Sequence, residues 1–367
     1  MYANNHQKKP LPETVVQNNL APRVLAPGYS IPRGIIGCWQ LAGGHGSISD
    51  EDAFSFLERA FFTGFTTLDC ADIYTGVEER LGRFRGFLKG RHGSLADTLQ
   101  IHTKFVPDLD AIRSGAVDEP YIRRICERSL VRLGVDALDL VQLHWWDYSC
   151  PGMVEAAGTL QKLQEEGKIR FIGTTNMDVP ALQLLLDSGI PIISNQIQFS
   201  LLDSRPQNGM IQFAENRGVS ILAYGTIAGG YLSERYLNLA EPLEHENRSL
   251  TKYSLMIEER GGWAVFQNLL RVLAEVANET GDDIASIASR AILAETAVAA
   301  VIIGTRSGAH LESNRRSVEG QLSEESRERI SAALSGMKAL SGDIYELERD
   351  REGRHGKIMK YNLNEQR

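Results

Sequence analysis

A single-domain (β/α)8 barrel of the α/β class is the fold this sequence predicts, on three observations. Eight short apolar, β-branched runs recur along the chain, and helical patterns separate seven of them in strict βα alternation. Near-continuous apolar strands of this kind belong to a parallel sheet covered on both faces. They extend over roughly 270 residues, the size of one such barrel. The first run is followed by Gly-Gly-His-Gly and not by the GxGxxG turn of a doubly wound sheet, and no phosphate-binding loop motif occurs.

In order, residues 1–31 are polar and punctuated by proline and read as an N-terminal arm, and residues 32–341 as the barrel. Its first run is Ile35–Gln40. Helix Glu51–Phe62 leads to strand Thr66–Cys70, and helix Glu78–Leu88 to strand Leu99–Lys104. Helices Glu119–Leu133 and Val154–Glu166 precede strands Leu138–His144 and Ile169–Thr174. Helices Val179–Ser188 and Pro206–Arg217 precede strands Pro191–Gln196 and Val219–Tyr224. The segment 231–262 is too long for a simple turn and suits a lid over a bound cofactor. Helical patterns Trp263–Glu279 and Ile284–Glu295 lead to the last strand, Ala299–Gly304, and two further helices follow at His310–Val318 and Glu324–Leu340. The charged C-terminal tail, 342–367, reads as surface-bound or mobile.

A hydrophobic content of 43% is enough for a substantial core, and a net charge of −8 argues against a nucleic-acid partner. No run approaches the ~20 apolar residues of a membrane helix, and the first residues lack the apolar core of a secretory signal. Cys38, Cys70, Cys126 and Cys150 stand singly, a spacing that gives no zinc site and fits reduced thiols. A cytoplasmic, metal-free protein is expected.

The expected strand ends carry the chemistry. Trp39, Asp69, Lys104, His144, Asn176, Gln196 and Tyr224 would share the rim at the carboxyl ends of the strands, where barrel enzymes place their active sites. Tyr74 follows Asp69 by five residues. A phenol with a reference pKa near 10 is a poor proton donor at neutral pH; a neighbouring Lys104 ammonium would lower that value, and Asp69 would keep the lysine charged. His144 can donate a hydrogen bond to a carbonyl oxygen and polarise it. Together these residues describe a general acid aimed at a carbonyl becoming an alkoxide. No side chain delivers hydride, so a cofactor is required. Asn176 and Gln196 suit a carboxamide, and Tyr224 an aromatic ring. Two other readings stay open: a barrel aldolase with Lys104 as Schiff-base former, and a non-catalytic NADP(H)-binding subunit that senses redox state or scaffolds a partner.

The segment Asp69–Tyr74 (D-x-A-D-x-Y) with Glu78–Gly82 (E-x-x-L-G) resembles a signature of the aldo-keto reductase superfamily. IHTK at Lys104, QLHWWD at His144, KIRFIGTTN at 168–176, SNQIQFS, AYGTIAGG and IIGTRSGAHLESN extend the resemblance over most of the chain. It implies NAD(P)H-dependent reduction of aldehydes and ketones, with a tetrad of Asp69, Tyr74, Lys104 and His144 and Tyr74 as proton donor. It further implies that Thr175, Asn176 and Gln196 hold the nicotinamide carboxamide while Tyr224 stacks on the ring. Gly225, Thr226, Ile227, Gly229 and Gly230 would follow the pyrophosphate, and Gly304, Thr305, Arg306, Ser307, His310 and Asn314 the adenosine end. The Arg306 guanidinium suits a 2′-phosphate and favours NADP(H), with NAD(H) the alternative. Trp39, Trp145, Trp146 and Tyr231 would form an aromatic pocket mouth for aromatic or apolar carbonyl substrates.

Overall fold

The computed structural model describes residues 22–42, 48–305 and 308–359. It begins with an antiparallel hairpin of β1 (Arg23–Ala26) and β2 (Tyr29–Ile31), turned by Pro27 and by Gly28 at φ 72°. Proline presets the first central position of such a turn, and glycine supplies the positive φ of the second. Eight parallel strands then close into a barrel: β3 (Gly34–Gly37), β4 (Thr67–Asp69), β5 (Gln100–Phe105), β6 (Leu138–Leu143), β7 (Ile169–Thr175), β8 (Ile192–Gln198), β9 (Ser220–Tyr224) and β10 (Val298–Gly304). Sequential neighbours pair, and β10 closes the ring on β3 through Val301↔Gly34 to Gly304↔Gly37.

The outer layer contains α1 (Asp50–Phe62), α2 (Val77–His92), the short α3 (Leu109–Ser114), α4 (Glu119–Leu133), α5 (Met153–Glu165), α6 (Val179–Asp187) and α7 (Met210–Arg217). After β9 come α8 (Arg248–Glu259), α9 (Trp263–Thr280) and α10 (Ile284–Leu293); after β10 come α11 (Leu311–Arg316), α12 (Glu324–Ser335) and the single turn α13 (Glu346–Arg349). Their starts are written locally. Ser49, Asp108, Asp118, Asp178, Asn247, Asp283 and Ser323 each accept a backbone N–H of the first turn, satisfying donors that the helix itself leaves free. Gly82 lets α2 lie directly on α4: a Cβ there would meet the Arg132 carbonyl oxygen at 2.2 Å.

Inside the barrel Ile35, Leu140, Leu222 and Ala300 pack with Leu25, Tyr29 and Ile31 of the hairpin. The hairpin therefore plugs the amino-terminal mouth. This corrects the reading of residues 1–31 as an N-terminal arm: 23–31 are an ordered part of the barrel's core, while 1–21 lie outside the described residues. A second correction concerns the tail. Ile344, Tyr345, Glu348 and His355 are buried, and α13 sits over the carboxyl ends of the strands. Among the described residues, no helix is long and apolar enough to cross a membrane, and no group of three His, Cys, Asp or Glu could hold a metal.

Candidate active site

A cavity of about 560 Å³ opens at the carboxyl ends of the strands. On its floor, Asp69 ends β4, and its Oδ2 accepts Lys104 Nζ from β5 at 2.6 Å. The same Nζ donates to the Cys70 carbonyl at 2.8 Å. Asp69 Oδ1 accepts two amides, Gln196 Nε2 at 2.6 Å and Gln142 Nε2 at 3.1 Å. The buried carboxylate thus has three donors. Burial opposes the charge on Lys104, but Asp69 and Tyr74 reverse this and hold its pKa above the ordinary value. A turn after β4, closed by Tyr74 N–H to Ala71 O at 3.0 Å, brings Tyr74 back over the lysine, whose Nζ lies 5.3 Å from the ring centre. Trp39 supports that ring edge-on at 4.7 Å.

Tyr74 differs from expectation in sign. Burial raises its pKa, and the Lys104 charge offsets this only in part, so the net shift is upward. The phenol is held protonated, the state a donor needs.

His144 follows β6, and its Nδ1 donates to the Thr175 carbonyl at 3.1 Å. Burial, reinforced by the charge of Arg349, pushes its pKa down to about 3. The ring is therefore neutral with its proton on Nδ1, and the buried Nε2 has no hydrogen-bond partner. In that tautomer Nε2 is an acceptor, not the donor to a carbonyl inferred from residue type. The rings of Trp146 at 4.2 Å and Tyr345 at 5.9 Å fix the imidazole edge-on.

Asn176 takes the left-handed conformation (φ 54°) with its N–H on the Gln196 carbonyl, turning its side chain into the cavity. Tyr224 Oη donates to Asn176 Oδ1 at 3.0 Å, leaving Nδ2 to meet a carbonyl oxygen. Beyond Tyr224, Gly225 (φ 73°) approaches α8 so closely that a Cβ would come 2.0 Å from Tyr253 Oη.

The sequence between residues 35 and 335 matches the model of the Aldo/keto reductase family. The chain belongs to the aldo/keto reductase family. It is 27% identical over 310 residues to Protein tas of Escherichia coli, spanning 76% of this chain and 87% of that one. With the L-glyceraldehyde 3-phosphate reductase of Escherichia coli it shares 28% identity over 298 residues, 78% of this chain and 84% of the other. In structure it resembles a glycerol dehydrogenase of Gluconobacter oxydans (TM-score 0.74, 21% identity, 89% and 98% covered) and an aldo/keto reductase of Klebsiella pneumoniae in complex with NADPH (TM-score 0.66, 20% identity, 87% and 96% covered). The family uses a nicotinamide cofactor in carbonyl reduction, and this chain is an oxidoreductase of that kind.

The residues of this aldo/keto reductase fit such a cofactor. Thr175, Asn176, Gln196, Tyr224, Thr226, Ile227, Gly304 and Asn314 all line the cavity, as do Gly225 and Gly229. Asn314 Nδ2 and Gln198 Oε1 are buried without partners, polar atoms that a dinucleotide would satisfy.

Other expected contacts are not brought in. Trp145 points away: its Nε1 bonds the Cys150 carbonyl at 3.3 Å and its ring lies 3.5 Å from the place of a Cβ on Gly152. Adjacent residues of an extended segment face opposite ways, so only Trp146 of the pair reaches the cavity. Tyr231 is buried among Tyr236, Trp263 and Phe266, part of the packing of α9 and no part of a pocket mouth. Gly230 and Thr305 do not line the cavity, and His310 is exposed. Arg306 and Ser307 lie outside the described residues.

Several residues that line the cavity were missed. Asn247, Arg248 and Lys252 at the start of α8 face it, so the segment expected as a lid supplies a helical wall. Tyr345, Ile358 and Met359 reach it from the tail. Glu348 is buried against Arg205 and Lys252, both at 3.1 Å, and Arg205 in turn grips Asp203, which holds Gln198 of the cavity wall at 2.5 Å. The α8 cations carry a signal, an Asn cap opening an amphipathic run; the tail carries none.

Proposed function

We propose that this protein reduces aldehydes and ketones to alcohols with NADPH, through Tyr74 as the proton donor. The observation that carries the reading is the convergence of Asp69, Lys104, Tyr74 and His144 on the floor of one cavity. When bound, the reduced nicotinamide supplies the hydride to the carbonyl carbon. Everything else is the work of this chain's side chains. Tyr74 hydrogen-bonds the carbonyl oxygen and hands over the Oη proton as negative charge grows there. Lys104, kept cationic by Asp69, stabilises the phenolate left behind. Neutral His144 offers Nε2 as an acceptor beside the reacting group. Asn176 Nδ2 and Gln196 Oε1 hold the carboxamide, Thr175 lies beside them, and Tyr224 presents its ring to the nicotinamide.

The apolar wall of Trp39, Trp146, Ile73 and Val106 suits aromatic or apolar carbonyl compounds. Arg248 and Lys252 add two cations to that cavity, in keeping with a phosphate-bearing cofactor. A Schiff-base role for Lys104 is disfavoured, because an ammonium held charged by Asp69 at 2.6 Å is a poor nucleophile.

NADPH oxidation with 4-nitrobenzaldehyde tests the reading. Tyr74→Phe is expected to lower kcat by ~10²–10⁴-fold with NADPH binding intact. Full activity in that variant would remove Tyr74 from its role. Cofactor binding without turnover of any carbonyl would leave a binding module.

A further inference from the structure

Gln142 is buried completely, two residues before His144 on the inward face of β6, and does not line the cavity. Its amide joins two groups already placed in the site. Gln142 Nε2 donates to Asp69 Oδ1 at 3.1 Å, and Gln142 Oε1 accepts Gln196 Nε2 at 3.0 Å. Gln196 Nε2 also donates to Asp69 Oδ1 at 2.6 Å. Two amides and one carboxylate thus close a triangle below the cavity floor. Both N–H bonds of Gln196 are spent within it, so its Oε1 is the atom left to face the cavity. The barrel makes room for this arrangement at Gly173 on the neighbouring strand: a Cβ there would lie 2.7 Å from Ser194 Oγ and 3.3 Å from Gln142 Cγ.

An amide can present either end, and the two ends have opposite hydrogen-bond character. Without Gln142, Asp69 still accepts one N–H of Gln196, but nothing takes the second. The Gln196 amide is then free to turn, and Asp69 loses one of the donors that stabilise its charge.

We infer that Gln142 is a positioning residue: it fixes the Gln196 amide with its oxygen toward the cavity, so that the site accepts the NH2 of a nicotinamide carboxamide, and it ties that orientation to the carboxylate that orients Lys104. The inference rests on the proposed nicotinamide site and deepens it. Orientation of the amide, and not bulk packing, is what Gln142 supplies.

Binding reads this directly, without turnover. Dissociation constants of NADPH and of its reduced 3-acetylpyridine analogue, in which a methyl group replaces the carboxamide NH2, are measured by fluorescence titration. The intact protein is expected to favour NADPH by about tenfold, because the analogue leaves the Gln196 oxygen unpartnered. In Gln142→Met, which keeps the volume and removes both polar atoms, NADPH binding weakens and the ratio falls toward one. Gln142→Glu keeps an acceptor for Gln196 but sets a carboxyl oxygen in place of the N–H that donates to Asp69 at 3.1 Å, so it too is expected to lose the discrimination. If Gln142→Met does not fold, Gln142→Asn, whose shorter side chain fails to span the triangle, is read the same way.

Wild-type discrimination persisting in Gln142→Met overturns the inference. So does a wild type that does not discriminate. A wild type that binds neither dinucleotide strikes the proposed function itself.

Discussion

The two mouths of this barrel are lined by the first and the last described segments of the chain, in opposite ways. At the amino-terminal mouth, the β1–β2 hairpin inserts Leu25, Tyr29 and Ile31 into an apolar interior. Tyr29 Oη there meets His102 Nε2 at 2.8 Å, with the Tyr29 ring stacked on Phe171 at 4.5 Å. At the carboxyl-terminal mouth, the tail lies across the strand ends by charge. Glu348 joins Arg205 and Lys252, while the next residue, Arg349, bonds the Asn176 carbonyl and Tyr148 Oη, each at 2.5 Å. Hydrophobic burial is non-directional and suits a permanent plug. Hydrogen-bonded charges fix angles, which suits a rim where Asn176 must hold a left-handed backbone.

Removing Glu348 should break that contrast most severely. Glu348→Ala leaves Arg205 and Lys252 without their buried carboxylate, and breaking a buried ion pair from one side costs about 3–5 kcal/mol. The expected outcome is a large fall in the urea midpoint, together with weaker NADPH binding, because Arg349 and Tyr345 lose their anchor. The pH dependence follows from the same pairing. Burial would raise the Glu348 pKa, yet Lys252 and Arg205 hold it well below the ordinary carboxylate range. Its contribution is therefore complete above the unfolded value near 4.3 and is lost only as pH falls below that. A Glu348→Ala protein with unchanged cofactor affinity would show the tail to be no part of the site.

The matching change at the other mouth separates stability from chemistry. Tyr29→Ala removes a fully buried ring, a loss of about 3–5 kcal/mol. Residues at the amino-terminal face of such barrels serve stability, so kcat well below the melting temperature should not change. Thermal melting and steady-state rates on the same sample check both halves. A fall in kcat in folded protein would mean that the plug reaches the site through His102 and Lys104.

The contrast also explains what the sequence reveals. The barrel is legible because parallel strands must be apolar on both faces, and the tetrad because Asp69, Lys104 and His144 stand at or next to the ends of such runs. Gln142 is legible in retrospect: it lies two residues before His144, and that period puts both on the same face of β6. Local pattern fails where burial is decided by distant partners. Glu348 reads as surface charge until Arg205, far off in the sequence, meets it. The strands at 23–26 and 29–31 are too short, and too close to prolines, to show an alternation. Trp145 and Trp146 are identical in type and adjacent, both are buried, and only Trp146 lines the cavity, a difference that residue type does not carry.

The smallest expected effect concerns two histidines, one serving each mouth. Burial pushes His102 down to about 4 and His144 to about 3, so both are neutral in the folded protein. An unfolded histidine binds its proton near pH 6.5. Below that value the unfolded chain takes up protons that the folded chain does not, so stability is greatest above about pH 6.5 and declines as pH falls toward the folded values. Replacing either histidine with glutamine should flatten the decline between pH 6 and 5 by one proton, ~1.4 kcal/mol per pH unit. Urea midpoints measured across that interval report it. There the likeness ends. His102→Gln touches only the plug and should leave the rate profile alone, whereas His144→Gln replaces the fixed ring acceptor in the cavity with a movable amide and should lower kcat. In the wild type neither ring titrates in the working range, so kcat should show no inflection near pH 6.5. An inflection that disappears in His144→Gln would mean that the ring charges during turnover and donates from Nε2 after all.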